Sequence, residues 1–144
     1  MIKTRTPGLT AGQEKFAQLV AANTNLSLQT VRTWVLAESG GRTDRDGNPL
    51  SILTYSGKLR NYGTPEAAAA ATVALLRGGN QTYAHILDVA RNPNASTRDE
   101  LQAIIDSAWE GKGYAGTSGK RGTLLWGAYA RITGSTAPSS SSAA

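Results

Sequence analysis

The 144-residue chain predicts a single, mainly α-helical domain that is interrupted by one long irregular loop. In six segments the apolar residues recur three and four positions apart, the spacing that places them on one face of a helix. Between Ser39 and Gly63 this spacing disappears, and Gly, Asn, Pro, Ser and Tyr dominate, as is typical of a loop. A chain of this length buries roughly 65–70% of its unfolded surface when it folds as one domain.

Capping residues mark where the helices begin. Thr10 and Gln13 have the form of a capping box, and Ser27 precedes the second apolar segment. Thr64-Pro65-Glu66 combines an N-cap, a proline at the first helical position and an acid in the first turn. We therefore expect helices over about residues 11–23, from Ser27 to Glu38, from Pro65 to Gly78, and over about 80–89, 97–109 and 123–132.

The ends of the chain differ in composition from its middle. We expect residues 1–9 to form a flexible N-terminus and residues 10–133 to form the single domain. Residues 134–144 are mostly Ser and Ala, which predicts a disordered tail. Inside the loop, only Leu50 to Tyr55 resembles a strand, so the loop is either irregular throughout or contains a small hairpin.

Composition excludes several kinds of chemistry. The absence of cysteine excludes disulfides, thiol nucleophiles and thiolate metal sites. The single histidine, His85, argues against a His-rich metal centre and against a Ser-His triad elsewhere. We therefore predict no metal and no cofactor.

The net charge of +5 suits a polyanionic partner such as nucleic acid, an anionic membrane surface or a bacterial cell wall. The basic residues are scattered, so a solvated basic surface is an equally simple interpretation. The sequence has no 18-residue apolar run that predicts a membrane span. Its first residues lack the apolar core of a Sec-type signal peptide.

Glu38 is the candidate catalytic residue. Leu28, Val31, Trp34 and Val35 recur at helical spacing, and Glu38 follows the last two by four and three positions, which places it on their face. A carboxyl that is desolvated beside a tryptophan has a raised pKa and becomes a proton donor near neutral pH. The alternative is a surface glutamate at a helix C-terminus, bonded to nearby backbone.

Groups suited to a sugar polymer surround this acid in the sequence. Asn48-Pro49-Leu50-Ser51 offers amide and hydroxyl groups, and aromatic rings match the apolar faces of sugars. The aromatic candidates lie in polar or glycine-rich regions and are Tyr55, Tyr62, Tyr83, Trp109 and Tyr114. Each ring taken alone is equally compatible with a place in the core.

The order of these motifs resembles lysozyme-like peptidoglycan-cleaving domains of phages and actinobacteria, which include lytic-transglycosylase-like modules. The resemblance covers about residues 28–115 and depends on five ordered segments: Trp34–Gly41, Asn48–Ile52, Tyr62–Ala68, Tyr83–Leu87, and Ser107–Trp109 with Gly113-Tyr114. It implies a lysozyme-like helical fold and Glu38 as the catalytic acid. It also implies that Ser39, Asn48 and Ser51 line the cleft, with Tyr55, Tyr62, Tyr83, Trp109 and Tyr114 as supporting or sugar-stacking residues.

The resemblance departs from hydrolytic glycosidases because no second carboxylate is obvious, although Asp44 and Asp46 are candidates. A lone Glu38 can act as acid and then as base, so that the sugar's own C6 hydroxyl attacks and leaves an anhydro product. We favour this lytic-transglycosylase mechanism over a muramidase with two carboxylates. The expected partners are peptidoglycan strands and phage tail proteins, and the expected location is a virion or the host cytoplasm before release.

Two other classes remain open. A phage tail or baseplate protein can keep a lysozyme-like fold without activity. A small helical nucleic-acid-binding domain is the other alternative, with Thr30 to Glu38 as its recognition helix. That segment carries only Arg32 as a basic residue, too little for phosphate contacts, so we expect no nucleic-acid partner.

Overall fold

A computed structural model describes residues 8–40, 42–52, 56, 58, 60–107, 109 and 120–134, with side chains from Leu125 onward in the last stretch. This part of the chain forms α1 (Ala11–Thr24), α2 (Leu28–Ser39), α3 (Pro65–Leu76), α4 (Gln81–Arg91), α5 (Thr97–Ile105) and α6 (Lys120–Thr133). A single 3-10 turn, Thr43–Arg45, follows α2, and the described residues include no strand. The predicted mainly α class is therefore confirmed, and a lysozyme-like arrangement stays a prediction.

The helix starts follow the capping residues. Thr10 and Gln13 form the predicted capping box, in which each side chain bonds to the other residue's backbone N–H. Ser27 accepts a hydrogen bond from the Thr30 N–H, and Thr64 accepts one from the Ala67 N–H. Each cap supplies an acceptor to backbone N–H groups that have no partner inside the helix. Asn80 and Ser96 cap α4 and α5 in the same way.

Helix α2 lies at the centre of the fold. It packs against α1, α5 and α6, and Val31, Trp34 and Val35 are fully buried. Burial extends beyond the predicted apolar stripe, because Thr30, Thr33, Leu36 and Ser39 are also buried. A helix that is enclosed on most sides can hold the group at its end in a fixed position.

The other helices surround α2 in two groups. Helix α3 packs on α1, and its buried Ala68 and Ala69 leave room for a close approach. Helix α4 packs on α5. A half-buried ion pair joins α1 to α2, since Nε of Arg32 lies 3.0 Å from both carboxylate oxygens of Glu14. None of the described helices has the length and apolarity needed to cross a bilayer.

Helix α5 ends earlier than its apolar spacing predicts. The sequence predicted a helix to residue 109, but the helix ends at Ile105, so the predicted end was wrong. The Ser107 hydroxyl donates to the Ile104 carbonyl (2.6 Å) and accepts from the Trp109 N–H (3.1 Å). This side chain replaces backbone partners and turns the chain, so Trp109 lies in the turn after the helix.

Two further boundaries differ from expectation. Helix α6 begins at Lys120 rather than at residue 123. Leu9, which was expected in the flexible N-terminus, is buried and belongs to the core. Residues 1–7 of the expected flexible N-terminus lie outside the described residues, as do the expected tail from residue 135 onward and the glycine-rich residues 111–119.

Candidate active site

Glu38 is the next-to-last residue of α2 and is half-buried. Trp34, one turn earlier on the same face, is fully buried. Glu38 is therefore neither enclosed in the core nor fully exposed to solvent. Helix α2 therefore ends where the sequence predicted, and a Glu38 carboxyl desolvated beside Trp34 stays a prediction.

Three aromatic rings pack together beginning at Trp34. The Trp34 and Trp109 ring centroids lie 4.8 Å apart at 70°, and those of Tyr83 and Trp109 lie 5.6 Å apart at 55°. Both tryptophans are buried, whereas Tyr83 is half-buried. Of these three rings, Tyr83 is therefore the one that reaches the protein surface.

Trp34 also carries an unused donor. Its indole N–H is buried and has no hydrogen-bond partner in the described part of the protein. An unpaired buried donor costs about 1–3 kcal/mol. The hydroxyl of the neighbouring Thr33 is also buried and has no hydrogen-bond partner in the described part of the protein.

The backbone just after Glu38 is held by Gln13 of α1. The Gln13 side-chain amide is fully buried and donates to the Ser39 carbonyl (2.7 Å) and to the Arg42 carbonyl (3.0 Å). Its oxygen accepts from the Thr10 N–H, which completes the capping box. Gln13 therefore fixes the turn that follows the candidate acid. Sequence reasoning assigned it only a capping role.

Ser39 and Asn48 fasten the loop to the end of α2. The buried Ser39 hydroxyl donates to the Pro49 carbonyl. Asn48 is also buried; its amide donates to the carbonyls of Ile52 and Arg60, both at 2.9 Å, and its oxygen accepts from the Ile52 N–H. Both residues lie in the predicted region, but these bonds make them supports for the loop rather than free groups facing a ligand.

The loop returns on itself without forming a strand in its described part. The Arg60 N–H donates to the Ile52 carbonyl and the Tyr62 N–H donates to the Gly47 carbonyl, each at 3.0 Å. Tyr62 is half-buried against the core. Ser51 has a positive φ of 56°, a left-handed conformation that costs a non-glycine residue about 1 kcal/mol. The predicted strand-like piece, Leu50 to Tyr55, is described only as far as Ile52. Tyr55 and Tyr114 lie outside the described residues.

The two candidate second carboxylates have other partners. Asp44 is exposed, and both Arg42 and Arg45 contact its carboxylate. The hydrogen bond from Arg42 lowers the pKa of Asp44, and the charges of Arg42 and Arg45 add to this effect. Asp46 is half-buried and accepts a hydrogen bond of 2.6 Å from the Thr10 hydroxyl. Asp44 therefore belongs to a surface ion cluster, and Asp46 ties the loop to the start of α1.

Glu100 is the most enclosed acid in the described part of the chain, and sequence reasoning missed it. It is 5% exposed and accepts from the Ser27 N–H (3.1 Å) and from the Thr30 hydroxyl. It lies in the first turn of α5, where an acid ordinarily stabilises the helix. Nothing local distinguishes it from Asp99, because its partners come from α2.

The site has no metal-binding pattern among the described residues, since His, Asp and Glu side chains form no group of three there. Comparison with protein-family models, curated proteins and solved structures found no match.

Proposed function

We propose that this protein cleaves the glycan strands of bacterial peptidoglycan by a lytic-transglycosylase-like reaction centred on Glu38. The observation that carries the proposal is the placement of Glu38: a half-buried carboxyl at the end of the most enclosed helix, one turn beyond Trp34. Gln13 and Ser39 fix the turn that follows it. Catalytic groups need such pre-organisation, because small displacements of a reacting group cost large factors in rate.

The proposed chemistry needs a single carboxyl. Glu38 donates its proton to the glycosidic oxygen as the bond from that oxygen to C1 breaks. The resulting carboxylate takes the proton from the C6 hydroxyl of the same sugar, and O6 bonds to C1. The product is an anhydro sugar, water is not consumed, and Glu38 regains its proton. A group that acts as acid and then as base works best with a pKa near the working pH.

The partners of Asp44 and Asp46 favour this reaction over hydrolysis with a second carboxylate. An ionised Asp44 that is held by two arginines is a weak base, and Asp46 is engaged by the Thr10 hydroxyl. A two-carboxylate muramidase remains the alternative mechanism, since hydrolytic glycosidases need that second group. In either case the protein would act on the wall from a phage virion or after release from the host cytoplasm.

An inactive tail or baseplate protein is the second candidate function. The bonds of Gln13, Ser39 and Asn48 stabilise the loop whether or not Glu38 is catalytic. An inert scaffold would keep this geometry and lack wall lysis. The nucleic-acid-binding alternative is weaker, because Arg32, the basic residue of α2, is engaged by Glu14.

The test compares Glu38→Gln with Asp106→Asn, a matched change at an exposed acid just after α5. We expect the wild-type protein and Asp106→Asn to lower the turbidity of purified peptidoglycan, and Glu38→Gln to be inactive with an unchanged helical circular dichroism spectrum. Mass spectrometry of the fragments should show anhydro ends. Reducing ends would indicate a muramidase, and activity retained in Glu38→Gln would refute the assignment.

A further inference from the structure

A second surface of the molecule carries two aromatic rings and an arginine. Trp126 and Tyr129 lie on α6, are half-buried, and have ring centroids 6.1 Å apart at 80°. Arg98 of α5 is exposed, and its Cζ lies 5.8 Å from the centroid of the Tyr129 ring. We call these three residues the aromatic–arginine surface. Both rings also pack against the hydrophobic core, and Trp126 is the one of the two that Arg98 does not cover.

Arg98 has no carboxylate partner in the described part of the chain, unlike Arg32, Arg42 and Arg91, which pair with acids. The acids that follow it, on α5 and just after it, accept hydrogen bonds from other groups. Asp99 accepts from the Ser96 N–H, and Asp106 accepts from the Gln102 amide. The buried Glu100 accepts from Ser27 and Thr30. The Arg98 guanidinium is therefore positioned by a ring face while its N–H donors stay available.

This surface is separate from Glu38. The Thr97 hydroxyl, next to Arg98 in sequence, lies 3.0 Å from the hydroxyl of Ser27, the N-cap of α2. Glu38 lies at the other end of that helix. At about 1.5 Å per residue, residues 27 and 38 are roughly 16 Å apart along the helix axis. A ligand at the aromatic–arginine surface would leave the Glu38 end free.

We propose that the aromatic–arginine surface is a second binding site, separate from the cleavage site, for a glycan strand that carries carboxylates. The apolar face of a sugar ring would pack on Trp126, and its carboxylate would accept paired hydrogen bonds from the planar Arg98 guanidinium. The net charge of +5 favours an anionic polymer over a neutral one. The identity of the polymer rests on the proposed function, whereas the site itself rests on these three residues.

The experiment measures binding to insoluble peptidoglycan by co-sedimentation in the Glu38→Gln protein, in which binding is separated from cleavage. We expect Trp126→Ala to weaken binding about 10-fold and Arg98→Gln about 5-fold, the sizes typical of a lost ring contact and a lost charge-assisted bond. Arg91→Gln, at an exposed arginine of α4 that is paired with Asp88, is the matched control and should bind like the parent. On neutral chitin, Trp126→Ala should still weaken binding while Arg98→Gln should not.

Unchanged wall binding in Arg98→Gln and Trp126→Ala, both with parental thermal unfolding midpoints, would overturn the proposal. Loss of duplex DNA binding in Arg98→Gln without loss of wall binding would also overturn it, because the surface would then bind phosphates. If the wild-type protein cleaves the wall and these variants bind normally, the second binding site is refuted and the proposed function is not. If the wild-type protein neither binds nor cleaves the wall, the proposed function fails with it.

Discussion

Gln13 and Ser39 are joined by a buried hydrogen bond of 2.7 Å from the Gln13 amide to the Ser39 carbonyl, although they lie on different helices. The same amide also donates to the Arg42 carbonyl, so one side chain of α1 holds both ends of the turn after Glu38. The Ser39 carbonyl lies at the end of α2, where helix carbonyls lose their intrahelical partners, and the Arg42 carbonyl lies in the turn that follows. Gln13 therefore connects the stability of α1 to the placement of the candidate acid.

Replacing Gln13 with Ala should cost about 2–3 kcal/mol of unfolding free energy, because the Ser39 and Arg42 carbonyls each lose one of their two donors and the capping box loses its partner. Urea unfolding measures this loss. Gln18→Ala, at an exposed glutamine of the same helix, should change stability by less than about 0.5 kcal/mol. Wall lysis by the folded Gln13→Ala protein should fall as well, since the turn after Glu38 is no longer held. Equal stabilities for the two variants would contradict the positioning role.

A substitution at Glu100 tests whether its buried carboxylate stabilises the fold or takes part in the reaction. Glu100→Ala removes the acceptor for the Ser27 N–H and the Thr30 hydroxyl, so we expect a loss of about 2–3 kcal/mol in urea unfolding. Asp106→Ala, at the exposed C-terminal end of the same helix, should stay within about 0.5 kcal/mol of the wild type. Lysis per folded molecule should be unchanged in both variants. A specific loss of lysis in Glu100→Ala would instead give Glu100 a role in the reaction.

The features that the sequence predicted well depend on neighbours within a few residues. Thr10, Ser27 and Thr64 cap the helices that they were expected to cap, because an N-cap bonds within its own first turn. The end of α2, one residue after Glu38, also follows from the local sequence. Local chemistry was sufficient in each of these cases.

The features that the sequence did not predict depend on contacts across the fold. Gln13 has an ordinary capping sequence, and only the approach of α2 to α1 gives its amide two carbonyls. Glu100 resembles any acid in a first turn until the N-terminus of α2 covers it. The end of α5 depends on the rotamer of one hydroxyl, Ser107, which overrides apolar spacing that continues to Trp109.

Gly40 is required where α2 ends, because a side chain there would collide with the preceding turn. A Cβ at this position would lie 2.9 Å from the Leu36 carbonyl oxygen and would overlap the Leu36 side chain. We therefore expect Gly40→Ala to lower the thermal midpoint by an amount equivalent to about 1–3 kcal/mol. Gly127→Ala is the matched control. A Cβ in that part of α6 meets nothing within 4 Å, and alanine favours a helix by about 1 kcal/mol over glycine, so its midpoint should rise. A higher midpoint for Gly40→Ala would show that the turn relaxes freely.

Asp44→Asn and Asp46→Asn distinguish the two proposed mechanisms. If Glu38 acts alone, each variant should keep turbidity-loss activity within about threefold of the wild type, since neither carboxylate enters the reaction. Asn at position 46 retains an oxygen that can accept from the Thr10 hydroxyl, so the connection to α1 should survive. Collapse of activity in only one of the two variants, with normal unfolding, would identify that residue as a second catalytic carboxylate.

The surface ion cluster gives a prediction about pH. The hydrogen bond from Arg42 is the main cause of the lowered pKa of Asp44, so Arg42→Ala should raise that pKa toward its ordinary value of 3.8. Arg45 still contacts the carboxylate, so the rise should be incomplete. An acid with a lowered folded pKa stabilises the protein above its unfolded pKa, and this contribution disappears as the pH falls through the folded pKa. The effect of Arg42→Ala on stability should therefore be present at neutral pH and vanish under acid conditions below that folded pKa.

NMR titration of the Asp44 carboxyl measures the shift. The carboxyl of Glu66, whose pKa is lowered by its own backbone and by Lys15, is the internal control that should not move. An unchanged Asp44 pKa in Arg42→Ala would show that Arg45 alone sets it.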